Sequence, residues 1–173
     1  MPSRRSSKNA EPEQDTSAGG PADLEWFAKP DSPEGGKGLR FSCTMCGNCC
    51  TGPTGYVLVN DDECSDMARK LGMTMEAFLA EHTHMMPLGR SLNERKTKHG
   101  YDCVFLDRQK LPGKAVCGLY EARPRQCKTW PWWSSVIATR DDYDQAQKKC
   151  PGLGKGTLVP VSEIRIQRKI IEI

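Results

Sequence analysis

Cysteine is the residue type whose number and spacing could do chemistry in this sequence. The chain holds nine cysteines among 173 residues, and four of them fall in the run Cys43-Thr-Met-Cys46-Gly-Asn-Cys49-Cys50. Packing does not explain this density, because a buried structural cysteine behaves as a small hydrophobe and has no reason to recur every third residue. A tight turn at C-x-x-C spacing brings two thiolates to one side, and Gly47 gives the backbone freedom for that approach. The run therefore predicts metal ligation.

Four further cysteines stand apart in the sequence, and eight thiols in total would make two four-coordinate sites. How the eight divide between sites is open. Cys127 is expected in the first turns of a helix, where the helix dipole favours a thiolate and nearby basic side chains such as Arg123 would offset its charge. The predicted metal ligands are Cys43, Cys46, Cys49, Cys50, Cys103, Cys117, Cys127 and Cys150. Neither catalytic residues nor residues for an organic cofactor are predicted.

The ninth cysteine, Cys64, is expected to be a packed thiol rather than a ligand. It shares the i, i+3, i+4, i+7 spacing of an amphipathic helix with Met67, Ala68 and Leu71.

The basic start of the chain is not followed by the apolar segment of a secretory signal, so we expect a cytoplasmic protein. Structural disulfides are rare in that reducing compartment, which again favours metal ligation.

The composition argues against several classes of function. Hydrophobic residues make up 37% and charged residues 27% of the chain, and the formal net charge is +3. No apolar run approaches the length of a membrane span, and a charge so near neutrality gives no reason to expect nucleic acid as a partner. The sequence has no P-loop, G-x-G-x-x-G or G-x-S-x-G motif and no evident acid–base pair, so an enzyme is not the favoured interpretation.

The elements that must position the cysteines are short. We expect an α+β fold: a small, metal-stabilised single domain over residues 39–173, preceded by a disordered tail over residues 1–38 that is rich in Pro, Gly and Ser. Predicted helices begin after Asn60 or Asp61, after Thr74, near Pro124 and near Asp142. A hairpin around Pro112-Gly113 would carry Cys103 and Cys117 on its two arms. A last helix after Ser162, with Ile166, Ile170 and Ile173 on its inner face, competes with a strand over the same residues.

The ordered set of motifs resembles the YkgJ-like cysteine cluster family, whose members are described as zinc- or iron-chelating domains with a C-x-x-C-x-x-C-C signature. The resemblance rests on the cysteine run itself, on Tyr101-Asp-Cys103-Val-Phe-Leu106, on Cys117-Gly-Leu-Tyr-Glu-Ala-Arg-Pro124-x-x-Cys127 and on Cys150-Pro151-Gly152. It spans about Phe41 to Ile173. It implies metal chelation by the eight cysteines and assigns no reaction.

The identity of the metal is open between an iron–sulfur cluster and zinc, since thiolate sulfur suits both. The spacing Cys43-x-x-Cys46-x-x-Cys49 and the remote Cys150-Pro151 resemble the ferredoxin ligand pattern, which favours iron–sulfur and a redox or electron-transfer role. Cys43-x-x-Cys46-Gly47 is also like a zinc knuckle, which favours a structural zinc adaptor for a protein or RNA partner. The segment Trp130-Pro-Trp-Trp133 would either wall the centre from water or belong to the core.

Overall fold

The computed structural model describes residues 25–171, and within that range the chain has the predicted α+β fold. The helices are a 3₁₀ helix Trp26–Ala28 and α1 (Asp61–Leu71), α2 (Met75–His82), α3 (Arg125–Lys128), α4 (Ser134–Ile137), α5 (Arg140–Lys149) and α6 (Val161–Ile170). The strands are β1 (Gly38–Phe41), β2 (Thr51–Gly52), β3 (Thr83–Met86), β4 (Gly89–Leu92), β5 (Glu94–Thr97), β6 (Gly100–Cys103), β7 (Leu106–Asp107), β8 (Val116–Cys117) and β9 (Thr157–Pro160). None of the helices in the described range is long and apolar enough to cross a membrane.

Four small antiparallel sheets connect these elements. β1 pairs with β9, β3 with β4 and β7 with β8, and the one three-stranded sheet has the order β2-β6-β5. The strands are two to four residues long, so no sheet is wide enough to form a core by itself. The sheets serve instead to bring distant loops together.

The structure differs from the expected domain boundary. Residues 1–24 of the expected tail lie outside the described residues, but residues 25–38 pack against the rest of the chain. Phe27 is fully buried, Trp26 donates a hydrogen bond from Nε1 to the carbonyl oxygen of Ile137, and Glu25 forms ion pairs with Arg165 and Arg168 of α6. An aromatic pair with a fixed partner surface buries enough apolar area to order a segment whose composition otherwise predicts a tail.

The first two helices form where the capping residues place them. Asn60 and Glu63 make a reciprocal capping box at the start of α1, and Gly72 ends that helix in the left-handed conformation. Thr74 caps α2 through its hydroxyl. Cys64 and Met67 of α1 are fully buried, as the stripe predicts, whereas Leu71 at the last position is 40% exposed.

The predicted hairpin exists but is shorter than expected. β7 and β8 pair Leu106 with Cys117, so Cys117 does lie on one arm. Cys103 does not lie on the other arm, because it ends β6 and pairs with Glu94 of β5. The chain leaves β6 after Cys103 and begins β7 at Leu106, so the strand partners change from β2 and β5 to β8.

The last element is a helix, α6, and its buried face differs from the predicted one. Ile164 is fully buried, whereas Ile166 is 61% and Ile170 is 44% exposed. The helix begins after Pro160 rather than at a Ser162 cap. Because the helix begins two residues earlier, its contacts with β9 and β1 decide which of its side chains are buried. Ile173 lies outside the described residues.

The described residues bury their apolar side chains in two separate clusters. The first contains Phe27, Leu39, Trp132, Val136, Ile137, Tyr143, Cys150, Leu153 and Ile164. The second contains Val59, Cys64, Met67, Ala68, Phe78, Leu92 and Leu119, and Cys103 and Cys117 pack at its edge. The cysteine-rich loop connects β1, which borders the first cluster, with β2, whose sheet borders the second cluster.

Candidate metal centre

The loop of residues 42–50 is anchored by hydrogen bonds to two other parts of the chain. Ala115 donates from its backbone N–H to the carbonyl oxygen of Met45 at 2.8 Å, which ties the loop to the β7–β8 hairpin. The Asn48 side chain donates to the carbonyl oxygen of Lys149 at 2.6 Å, and this ties the loop to the end of α5. These two hydrogen bonds hold the four thiols of the loop beside the hairpin that carries Cys117 and beside the end of α5, where Cys150 follows.

Gly47 is at the point where the loop comes closest to the hairpin. Its φ is +77°, and a Cβ at this position would lie 2.6 Å from the Cβ of Ala115. Both the backbone conformation and the close approach therefore require glycine. The prediction that Gly47 supplies freedom for a tight approach fits this geometry.

Strand pairing brings Cys103 to the loop. Thr51 and Asp102 are opposite each other in β2 and β6, and just beyond this pair the N–H of Cys103 donates to the carbonyl oxygen of Cys50 at 2.8 Å. The two cysteines are thus neighbours across the sheet despite their separation in sequence. Two-residue β2 has no other evident role than to make this contact.

Helix α3 brings Cys127 to the same place through its neighbours. Gln126 is buried, accepts a hydrogen bond from the N–H of Leu58 at 2.7 Å and donates one to the carbonyl oxygen of Tyr56 at 3.0 Å. Glu63, already part of the α1 capping box, also accepts from the N–H and the Nε of Arg125. These contacts fix both the position and the rotation of a helix of four residues.

Six of the eight predicted ligands line one cavity of about 350 Å³. They are Cys43, Cys49, Cys50, Cys103, Cys117 and Cys127. Cys49 Sγ and Cys50 Sγ lie 3.5 Å apart. The described chain contains all nine cysteines as free thiols, so none of the six is committed to a disulfide.

The two remaining predicted ligands do not line this cavity. Cys46 belongs to the loop and is half-buried, and its thiol acts electrostatically on Arg108 together with that of Cys50. Cys150 is only 8% exposed and belongs to the first apolar cluster. Its backbone nevertheless lies beside the loop, because Ser42 donates from its N–H to the carbonyl oxygen of Gly152 at 3.1 Å. Ligation by these two thiols stays a prediction.

The thiols of the cavity influence one another's protonation. The pKa of Cys49 is lowered to about 7, mainly because its sulfur accepts a hydrogen bond from the Cys50 thiol and also because Arg123 is near. The pKa of Cys50 is raised, since its thiol donates that bond and is buried. Burial raises the pKa of Cys103 to about 11. A metal that binds here must therefore displace protons from most of its ligands at neutral pH.

The expected preference of Cys127 for the thiolate form is not seen in the metal-free chain. Burial, followed by the neighbouring thiols of Cys103 and Cys117, raises its pKa, and Arg123 lowers it by less. A helix of one turn offers a weaker dipole than the prediction assumed. Of the predicted cations, Arg123 lines the cavity, whereas Arg125 is paired with Glu63.

Beneath the loop lies a buried ion pair that sequence reasoning missed. Asp102 has a side chain that is 1% exposed and accepts two hydrogen bonds from Arg108, each 3.0 Å long. The Thr51 hydroxyl donates a further hydrogen bond to Asp102 Oδ1. The pKa of Asp102 is lowered to about 2, mainly by the hydrogen bond from Arg108. The two residues are six apart in sequence; Asp102 lies within the Tyr101–Leu106 motif, in which Cys103 is the predicted ligand, and Arg108 lies outside it.

The tryptophans of the Trp-Pro-Trp-Trp segment lie in two places, the lining of the cavity and the first apolar cluster. Trp130 and Trp133 line the cavity, with their ring centroids 4.9 Å apart and nearly perpendicular. Trp132 is 4% exposed and belongs to the first apolar cluster. Trp130 and Trp133 are partly buried and also pack against that cluster, so they lie between it and the cavity.

The donor set fits a thiophilic metal or metal cluster. Sulfur ligands suit zinc and iron–sulfur clusters, and Arg123 and Arg108 lie near enough to the thiols to offset their negative charge. The Oγ1 atom of Thr44, next to Cys43, is buried without a hydrogen-bond partner within residues 25–171, and a hydroxyl can donate to sulfur. Over the same residues, no three Cys, His, Asp or Glu side chains converge closely enough to hold one metal ion.

Comparison with known proteins assigns the chain to a family. Residues 42–151 match the family model CxxCxxCC, described as "Putative zinc- or iron-chelating domain". The match covers well over half of the chain, and the chain therefore belongs to this family of metal-chelating cysteine domains. No solved structure matches the chain.

Proposed function

We propose that this protein binds an iron–sulfur cluster through thiols of the cavity and has a redox or electron-transfer role. The observation that carries the proposal is the gathering of six cysteines from the loop, β6, β8 and α3 on one cavity of about 350 Å³. Iron–sulfur clusters are held by cysteine thiolates, and their potentials respond to the hydrogen bonds and solvent access around the sulfurs.

The spread of the thiols supports a cluster over a single ion. The four sulfurs around a tetrahedral zinc ion lie about 3.8 Å from one another, given a zinc–sulfur distance of about 2.3 Å. Cys49 and Cys50 approach this separation, but no third donor within residues 25–171 joins them around one point. The other four cavity thiols come from separate elements, the loop, β6, β8 and α3, as ligands of different metal atoms in one cluster can.

In the bound state the chain's own residues have separate tasks. Four of the six cavity thiols would hold the cluster, which supplies a one-electron couple when bound. Arg123 stays beside the thiols because its Nε donates to the carbonyl oxygen of Tyr120 and its guanidinium lies 4.0 Å above the Tyr120 ring. Trp130 and Trp133 keep water from the apolar side of the cavity.

A structural zinc site is the second candidate, and the 3.5 Å separation of Cys49 Sγ and Cys50 Sγ favours it. Such a site would make the protein an adaptor for a protein or RNA partner, with the metal in a purely structural role. Zinc would require the thiols of Cys103, Cys117 or Cys127 to move closer to that pair. The remaining proposed ligands, among them Cys43, Cys46 and Cys150, would then serve a separate site.

Metal analysis of anaerobically purified protein tests the proposal. We expect iron and acid-labile sulfide in equal amounts and a brown colour, and we expect Cys127→Ser to lose most of both, because a serine oxygen is a poor ligand at a soft site. Cys64→Ser is the matched control, since Cys64 is buried in the second apolar cluster outside the cavity lining. Colourless protein with stoichiometric zinc would replace the proposal with the zinc adaptor.

A further inference from the structure

The ion pair of Asp102 and Arg108 adjoins the cysteine loop at two points. Thr51, which donates to Asp102, directly follows Cys50, and Asp102 directly precedes Cys103. On the other side, Arg108 Nη1 lies 3.4 Å from the position that a Cβ at Gly47 would occupy, beside Cys46. The pair therefore lies beside residues that are adjacent in sequence to three of the predicted ligands, Cys46, Cys50 and Cys103.

The ion pair has no net charge, but its orientation determines which of its two charges faces the cysteine loop. Asp102 is 1% and the Arg108 side chain 25% exposed, so the carboxylate is the more buried partner. The guanidinium lies beside the loop, because Arg108 Nη1 is 3.4 Å from the position of a Cβ at Gly47, the residue that follows Cys46. The positively charged guanidinium of Arg108 is thus placed to offset negative charge that develops on the sulfurs of Cys46 and Cys50.

We propose that Arg108, held by Asp102, is a positioning residue of the metal centre: it fixes the Cys46–Cys50 segment and offsets the charge of its thiolates. The inference rests on the proposed metal-binding function and adds a residue that no motif of the family signature contains. Groups that orient metal ligands typically change metal affinity by about 10–100-fold when they are replaced.

Charge balance predicts how the variants differ. Arg108→Gln leaves the buried Asp102 carboxylate without its cationic partner beside the thiols, so the thiols must lose their protons next to an additional negative charge. Asp102→Asn combined with Arg108→Gln removes both charges and leaves two amide side chains of similar shape. If charge and position matter, the single variant is the weaker binder and the double variant recovers most of the loss.

The experiment measures Co²⁺ binding by the full chain under reducing conditions, as a function of pH, using the sulfur-to-cobalt absorption. For Arg108→Gln we expect affinity to fall by at least about tenfold and the pH at half-saturation to rise. The double variant should recover most of the affinity. The matched control is Arg165→Gln, which breaks another doubly hydrogen-bonded Arg–carboxylate pair, with Glu25, outside the cavity lining.

The outcomes separate the proposal from general destabilisation. Affinity of Arg108→Gln within twofold of the parent overturns it, and so does an equal loss in Arg165→Gln or a double variant as weak as the single one. Should Arg108→Gln fail to fold, Arg108→Lys replaces it, with an expected loss smaller than tenfold because the charge is kept. Iron and sulfide analysis of the parent alone decides the proposed iron–sulfur function, so the two can fail independently.

Discussion

At the residue scale, the candidate centre contains thiols whose pKa values are raised by partial burial. Burial raises the pKa of Cys103 to about 11 and also raises those of Cys117 and Cys127. Cys49 differs, because the hydrogen bond from Cys50 lowers its pKa to about 7. Most of the cavity thiols are therefore protonated at neutral pH, and a metal ion that binds them must displace the protons.

This protonation pattern predicts a steep pH dependence of metal binding. Thiols with raised pKa values are protonated throughout the range from pH 6 to 8, so each ligand that binds must release a proton. Affinity for Co²⁺ should rise by about tenfold per pH unit for every proton displaced, and fall correspondingly in acid. Titration at a series of pH values measures this slope, and a slope near zero would mean that the ligands are not these thiols.

The identity of the candidate ligands could be predicted from their spacing, but the direction of each side chain could not. C-x-x-C-x-x-C-C density pointed to the loop because no packing role explains it. Cys150 has an equally suggestive Cys-Pro context, yet its side chain belongs to an apolar cluster that forms only in the folded chain. The pairing of Asp102 with Arg108 likewise depends on β2 and β6 meeting, which no local pattern reveals.

At the scale of the elements, short strands and one-turn helices position the thiols. β2 has two residues and α3 has four, and neither has the alternation or periodicity that a sequence pattern needs. The capped helices α1 and α2 could be predicted because Asn60, Glu63 and Thr74 are local signals. The break after Cys103 could not, because it depends on the pairing of β6 with β2, a segment about 50 residues away in sequence.

Gly47 gives the sharpest test at this scale. Gly47→Ala would place a Cβ 2.6 Å from that of Ala115 in a left-handed conformation, and we expect a loss of about 2 kcal/mol or more in the free energy of unfolding, together with lower metal content. Gly113→Ala is the matched control, since Gly113 has a φ of +72° and no neighbour within 4 Å of the added Cβ. It should cost about 1 kcal/mol and keep the metal. Equal behaviour of the two variants would show that the contact with Ala115 is unimportant.

At the scale of the whole molecule, two small apolar clusters are bridged by a loop that is polar and rich in thiols. The chain is only 37% hydrophobic, and its strands are two to four residues long in the described range. A core divided in this way leaves each half with little apolar area to offset its conformational entropy. We therefore expect metal binding at the junction to contribute a substantial part of the folding free energy.

Removal of the metal under reducing conditions should therefore unfold much of the chain. We expect a chelator to abolish the cooperative thermal transition and to reduce the far-ultraviolet circular dichroism, and we expect added metal to restore both. The Cys64→Ala variant should respond like the parent, because its thiol only packs against α1 neighbours. A metal-free protein that keeps a cooperative transition at a similar temperature would show that the two clusters are sufficient.

X-ray absorption spectroscopy at the metal edge of the purified, metal-loaded protein tests the central claim most directly. If thiols around the cavity hold an iron–sulfur cluster, the spectrum at the iron edge contains sulfur as the nearest neighbour and a second shell from neighbouring iron atoms. Cys127→Ser should lose this iron signal, and Cys64→Ser should keep it. A zinc spectrum with four sulfur neighbours and no metal–metal shell, or a metal bound mainly by nitrogen or oxygen, would contradict the account.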